Sequence, residues 1–199
     1  MPTSSGFPDL MEVLVNVGVV IPPIIMMLQG IAVLMGLYLV ANSMIEIWGV
    51  THDNAIKFMA GRQRFSVGSA LISMFIGSLL LAMGTLELVG ILSRTITSDY
   101  ASSRITAAAL SYTSGGGLAE KAQIATLTLL GIMQVVGFIA MLKGWLTINR
   151  HYNQQGQAGL GYAFGWIIGG VLAWNFKWFS DLINNTIGFN LIGLFTPFN

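Results

Sequence analysis

The side chains best suited to acid–base or metal chemistry are few and scattered in this chain. Its two histidines, His52 and His151, lie far apart in the sequence, and cysteine is absent. The lack of cysteine excludes disulfides, thiolate nucleophiles and thiolate metal sites. Two histidines alone do not complete a zinc site, and no Ser-His-Asp set, phosphate-cradling loop or paired-carboxylate motif is visible. The residue types therefore predict no catalytic residue, no metal ion and no enzyme activity.

Four charged side chains could act inside a membrane instead. Glu46, Glu87, Lys143 and Lys177 each lie within an apolar segment or just inside its end. A charge at such a depth is costly unless it is paired, hydrated or reaches the headgroups. Glu46 should lie at the depth of Lys143, and Glu87 at the depth of Lys177. We predict interhelical pairs that fix register, with snorkelling of the two lysines as the alternative.

Small residues recur four apart in two apolar segments. Such spacing places them on one helix face, where another backbone can approach closely. Association in lipid depends on close packing and interhelical hydrogen bonds, and small residues permit both. We therefore predict helix packing at these positions, either within one chain or between chains. The candidates are Gly161, Gly165, Gly169 and Ala173 in one segment, and Ser69, Ser73 and Gly77 in another.

The composition indicates the environment of these segments. The chain has 199 residues, of which 54% are hydrophobic and 9% are charged, whereas an average soluble domain has about 25% charged residues. The mean hydropathy is +0.73. A soluble protein must cover its surface with polar groups, so we predict an integral membrane protein. The net charge of +1 favours no direct nucleic-acid partner.

A spanning helix needs about 20 mostly apolar residues, and four segments meet this length. They cover 24–48, 66–92, 122–148 and 160–179. We predict an all-α membrane protein of four transmembrane helices, arranged as one hairpin at 24–92 and a second at 121–183. The whole chain, 1–199, would form a single membrane domain.

Three stretches fall outside these hairpins. Pro22-Pro23 should stop a helix, so segment 1–23 is predicted to contain a short interfacial helix. The stretch 93–120 is rich in Ser, Thr, Ala and Gly and is predicted to be an extracytoplasmic loop. The tail, 184–199, is too short to span a bilayer.

Basic residues near the helix ends predict the orientation. Lys57, Arg62 and Arg64 lie in the first short loop, and Lys143 and Arg150 border the second. The positive-inside rule places both short loops in the cytoplasm and both termini outside. The turn with Lys57, Arg62 and Arg64 also suits anionic lipid headgroups, which makes membrane lipid a partner and bound phospholipid a possible ligand.

Glycine spacing hints at an internal repeat. Gly36 and Gly68 are 32 positions apart, as are Gly137 and Gly169. Two tandem hairpins would produce this pattern, although glycine is abundant enough for chance to produce it too.

One stretch resembles a known family. The pattern covers 132–146 and 165–175. It consists of a Gln in a helix, an apolar run ending in Lys-Gly-Trp, a polar turn, and a helix that starts with IIGGVLA and ends in Asn. This pattern resembles the IcmC/DotE/TraQ group, the small inner-membrane proteins of type IVB secretion (Dot/Icm) and IncI-type conjugation systems. The residues that match are Gln134, Lys143, Gly144, Trp145, Gly169, Gly170 and Asn175.

The resemblance implies a multi-pass protein of the bacterial inner membrane, with periplasmic termini under the orientation above. It implies a structural subunit of a type IV secretion or conjugative DNA-transfer apparatus, and it supplies no catalytic residues. Partners would be further copies of the chain, other membrane subunits of the apparatus, or both. Two alternatives stay open: a pilin-like subunit that polymerises with phospholipid, and a small channel or transporter.

Overall fold

A computed structural model describes residues 10–51, 67–97, 118–153 and 159–188. Within these ranges every regular element is a helix, which confirms the all-α class. The six helices are α1 (Leu10–Thr51), α2 (Val67–Gly84), α3 (Glu87–Thr97), α4 (Leu118–Tyr152), α5 (Leu160–Trp174) and α6 (Phe176–Ile187).

Three of these helices, α1, α2 and α4, are long and apolar enough to cross a membrane, and α5 is a shorter apolar helix. The chain is therefore a multi-pass helical membrane protein with three to four apolar helices. We call α1 and α2 the first hairpin, and α4 and α5 the second hairpin.

The prediction that a helix stops at Pro22-Pro23 is wrong. Helix α1 is continuous for 42 residues and contains both prolines. A proline removes a backbone donor and crowds the preceding turn, but tertiary packing and local adjustment make prolines tolerable in membrane helices. Here Ile21 and Ile25, on either side of the prolines, are both buried in the core. Packing thus keeps the helix continuous through a pair that local propensity disfavours, and residues 10–23 of the predicted interfacial segment form the first part of α1.

The predicted spans 66–92 and 160–179 are both shorter than expected because each helix breaks. After α2, Leu86 adopts a left-handed backbone with φ 63°, and α3 begins at Glu87. After α5, Asn175 leaves the helical region at φ −100° and ψ 36°, and α6 follows. Both following helices are short and amphipathic. The predicted loop 93–120 is also too long, because α3 extends to Thr97 and α4 begins at Leu118.

Each hairpin crosses at a pair of glycines. A Cβ built on Gly36 would lie 2.7 Å from the Gly77 carbonyl oxygen, and one built on Gly77 would lie 2.9 Å from the Gly36 oxygen. In the second hairpin the matching distances are 2.6 Å from Gly137 to the Gly170 oxygen and 2.7 Å in reverse. Since neither glycine carries a Cβ, the backbones touch directly, a geometry that favours Cα–H···O contacts.

The two hairpins pack mainly through α1 and α4, which run parallel. Gly18 of α1 faces Thr128 of α4, and Ile21 of α1 covers Gly131 of α4. One continuous core joins the hairpins, with Phe138 and Met141 of α4 and Leu80 of α2 among its fully buried side chains.

This arrangement gives the bundle two distinct ends. At the loop end, α1 and α4 terminate and α2 and α5 begin. At the break end, α2 and α5 terminate, and α3 and α6 follow them.

Candidate helix-docking site

The small residues of α5 fall on two different faces. Gly170 and Ala163 are buried against α4, where a Cβ on Gly144 would lie 3.0 Å from the Ala163 oxygen. Gly161, Gly165 and Gly169 are exposed, and a Cβ on any of them would meet nothing within 4 Å. We call these three residues the open glycine face. Ala173, the fourth predicted member, is half-buried at its edge.

The open glycine face is not used for packing within the described part of the chain. No described atom outside α5 lies within 4 Å of a Cβ built on any of the three residues. A helix face without side chains lets a second helix approach to short interaxial distance. This surface therefore has the geometry for docking another transmembrane helix.

The second predicted set, on α2, packs inside the chain. Gly77 forms the crossing with Gly36, and Ser73 is buried. The Ser73 hydroxyl donates to Asn149 Oδ1 at 2.8 Å and accepts from Asn153 Nδ2 at 2.9 Å. Ser69, one turn earlier, is half-buried. Gly77 and Ser73 therefore tie α2 to α1 and α4 and are not available to a partner.

The charged residues predicted at the loop end occupy different environments. Glu46 is buried, with 2% of its surface exposed, and its Oε1 accepts a hydrogen bond from Asn42 Nδ2 at 3.1 Å. Lys143 is exposed, and its ammonium lies 3.8 Å from the centroid of the Trp166 ring. The structure thus gives Lys143 an aromatic contact that the sequence did not suggest.

The charged residues predicted at the break end occupy equivalent positions in the two hairpins. Glu87 begins α3 directly after the first break, and Lys177 is the second residue of α6 after the other break. Both are exposed. Their role in fixing helix register stays a prediction, as does that of Glu46 and Lys143. The predicted headgroup site at Lys57, Arg62 and Arg64 lies outside the described residues.

A second polar contact joins the hairpins at the break end. Asn175 Nδ2 donates to the Ser93 hydroxyl at 2.9 Å and to the Val171 carbonyl at 2.9 Å. Both Ser93 and Asn175 are buried. The sequence pattern includes Asn175 but does not indicate its partner, because Ser93 lies at the start of the stretch predicted to be a loop.

Sequence reasoning also missed the inward role of Gly137, Gly144 and Gly170. A detectable signal was present, since Gly77 and Gly84 in the first hairpin and Gly137 and Gly144 in the second are both seven apart. A seven-residue interval keeps residues on one face of a helix that packs against a neighbour. In both pairs the second glycine faces its partner helix, Gly84 lying against Val33 and Gly144 against Ile167.

The described residues contain no group of three or more His, Asp or Glu side chains placed to hold a metal ion. Several hydroxyl groups bond to a carbonyl of their own helix, and the bonds at Ser73 and Ser93 join different helices. Searches for relatives match this chain to no family model, no curated protein and no solved structure.

Proposed function

We propose that this chain is a structural membrane subunit that assembles by docking a transmembrane helix of a neighbouring subunit on the open glycine face of α5. The observation that carries the proposal is the contrast between the buried and the open glycines. At Gly137 and Gly170 another backbone fills the space where a Cβ would be, whereas at Gly165 that space is open. Glycine therefore permits close helix packing inside the chain and also forms an uncovered surface on α5.

Lipid alone is a poor explanation for three surface glycines spaced four apart. Glycine in a helix interior costs about 1 kcal/mol relative to alanine. Gly165 and Gly169 lie in the interior of α5, and Gly161 lies in its first turn. Large apolar side chains cover other lipid-facing surfaces, as Leu71 and Phe75 do on α2. The lower helix propensity of these glycines is offset when a second helix packs closely against the face.

The resemblance to the IcmC/DotE/TraQ group supports a specific setting for this assembly. We propose that the subunit belongs to a type IV secretion or conjugative transfer apparatus in the bacterial inner membrane, with both termini periplasmic. Several of the matching residues have packing roles in the structure: Gly144 and Gly170 contact the partner helix of the hairpin, and Asn175 bonds to Ser93. The pattern therefore coincides with the residues that build the second hairpin, as expected for a protein that works by its shape.

The test is to fill the open glycine face with a bulky side chain. We expect Gly165→Leu to break the complex while membrane insertion and helix content stay unchanged, because the added side chain blocks only an outward surface. Mass measurement of the complex in mild detergent, together with co-purification of differently tagged copies and neighbouring subunits, reports the loss.

Gly30 offers a matched control. It lies on α1, is exposed, and like Gly165 has nothing within 4 Å of a built Cβ. Gly30→Leu should therefore leave the assembly intact. An unchanged mass and unchanged partners for Gly165→Leu would refute helix docking at this face.

A further inference from the structure

Lys143 is held in place on the outside of the second hairpin. Its ammonium lies 3.8 Å from the Trp166 ring centroid, within the range of a cation–π interaction. Tyr162 packs edge-on against the same ring, with centroids 6.0 Å apart and planes at 77°. Arg150 lies about 10 Å nearer the end of α4, at 1.5 Å per residue. The ammonium therefore stays at a fixed depth in an aromatic setting typical of a membrane interface.

Exposed residues on α4 continue this site in both directions. Val136, Lys143 and Arg150 follow one another at intervals of seven and are all exposed, so they share one helix face. Arg150 lies at the loop end, where headgroups and water are expected. Val136 lies near the middle of α4, at the level where α5 ends. The face is thus basic at one end and apolar at the other.

A matching face runs along α5. Tyr162, Trp166 and Ala173 are four and seven residues apart, which places them on one side of the helix. Because α4 and α5 are antiparallel, Tyr162 lies near the level of Arg150, and Ala173 lies near the level of Val136. Val136 on α4 and Ala173 on α5 therefore lie at one level, about 10 Å from Lys143 along the helices.

Among the side chains that the structure describes, the exposed charges at the loop end are positive. Glu46 is the acidic residue described at this end, and it is buried. Glu87 and Asp181 lie on α3 and α6, which follow the breaks at the other end. Lys143 and Arg150 thus present two exposed positive charges that no described acid at the surface of this end offsets.

We infer that Lys143, Tyr162 and Trp166 form a binding site for the phosphate of an anionic phospholipid, distinct from the open glycine face. The Lys143 ammonium and the Tyr162 hydroxyl donate to the phosphodiester oxygens, and Arg150 attracts the negative charge from the aqueous side. One acyl chain lies along Val136 and Ala173. A membrane lipid is the occupant because the basic residues continue directly into an apolar surface, which a free phosphate would not contact.

The test counts bound lipids on the purified full-length chain. Phosphatidylglycerol and phosphatidylcholine with identical acyl chains are titrated separately into the detergent-solubilised protein, and native mass spectrometry counts the lipids retained. We expect the wild-type chain to retain phosphatidylglycerol at least about fivefold more tightly, the effect of one basic side chain at an anionic surface. Equal retention of the two lipids by the wild type would overturn the inference without any variant.

Single substitutions identify the residues responsible for the preference for phosphatidylglycerol. Lys143→Gln should lower the preference for phosphatidylglycerol by about fivefold, and Tyr162→Phe should lower it by less while keeping the ring on Trp166. Lys177→Gln is the matched control, because Lys177 is an exposed lysine at the opposite end and its removal should change nothing. A Lys143→Gln protein that keeps the wild-type preference would exclude this site. Displacement of the lipid by excess inorganic phosphate would show a phosphate site and would contradict the lipid assignment.

Discussion

The two hairpins share one construction and differ on their outer surfaces. Each has a long helix, a shorter apolar helix and a glycine crossing, followed by a break and a short amphipathic helix. On the outside of α2, exposed positions carry side chains such as Leu71 and Phe75, whereas the outside of α5 carries Gly161, Gly165 and Gly169. The shared construction serves stability within the chain, and the difference marks the second hairpin as the one suited to close association.

The largest expected effect comes from the shared crossing. Gly137→Ala would place a Cβ 2.6 Å from both the Gly170 oxygen and the Trp174 nitrogen. Because both are backbone atoms, the two helices must separate, and we expect a loss of about 3 kcal/mol, at the upper end of overpacking costs. Thermal unfolding in detergent, followed by circular dichroism, measures the change.

Gly165→Ala is the matched control, since its Cβ would meet nothing within 4 Å. It should unfold no earlier than the wild type, because alanine favours the helix. If both substitutions shift the unfolding temperature equally, the distinction between buried and open glycines fails.

The next effect concerns the position three residues before the crossing glycine of the long helix, which is polar only in the second hairpin. Gln134 lies three residues before its crossing glycine, Gly137, and Val33 lies three residues before Gly36 in the first hairpin. Gln134 is 1% exposed, and neither its Nε2 nor its Oε1 has a hydrogen-bond partner among the described residues. An unsatisfied buried amide costs about 1–3 kcal/mol, so Gln134→Val should raise stability by about 1–2 kcal/mol.

The unfolding assay used for the glycine variants measures this gain. Gln134→Asn keeps the amide and should bring no gain, which separates the effect of polarity from a general response to substitution. A Gln134→Val protein that is less stable than the wild type would show that the amide has a favourable partner in the membrane.

The smallest effect comes from the two serine–asparagine contacts that join the hairpins at opposite ends. Ser73 bonds to Asn149, and Ser93 bonds to Asn175. Each asparagine keeps another intramolecular contact when the serine is lost, through Asn153 in one case and Val171 in the other. We therefore expect Ser73→Ala and Ser93→Ala to cost about 0.6 kcal/mol each, the average for such bonds between membrane helices.

Ser78→Ala serves as the reference, because the exposed Ser78 hydroxyl bonds only within its own helix, to the Phe75 oxygen. Its unfolding should match that of the wild type. If one of the two buried serines costs several times more than the other, the two ends of the bundle are not equivalent.

The sequence predicts the apolar helices well, because hydropathy indicates residues buried in lipid or in the core. Helices α1 and α4 are apolar over most of their length. It does not predict the breaks after α2 and α5. Leu86 is an ordinary apolar residue, and its left-handed backbone depends on how α3 folds back against the bundle. The continuous helix through Pro22 likewise depends on tertiary packing against α4.

The candidate site shows a similar division. Spacing predicts which residues share a face, but it does not say which face points inward. Gly169 and Gly170 are adjacent and about 100° apart around the helix, and only Gly170 packs against Gly137. The glycines that meet in the structure do not keep the equal spacing of 32 noted in the sequence. Gly36 meets Gly77, 41 positions later, and Gly137 meets Gly170, 33 positions later. The two hairpins share an order of elements, and the internal sequence repeat stays a prediction.

The length of α1 has a consequence for the surrounding bilayer. At 1.5 Å per residue, its 42 residues extend about 63 Å, whereas the 18 residues of α2 extend about 27 Å, close to the roughly 30 Å thickness of the acyl layer. A membrane that matches α2 leaves apolar turns of α1 beyond its hydrocarbon unless the helix tilts steeply or the lipids thicken around it. Each adjustment costs free energy for every ångström of mismatch, and that cost falls when equally long helices share the same deformed patch of lipid. The length of α1 therefore favours a thick bilayer and association with proteins whose transmembrane helices are equally long.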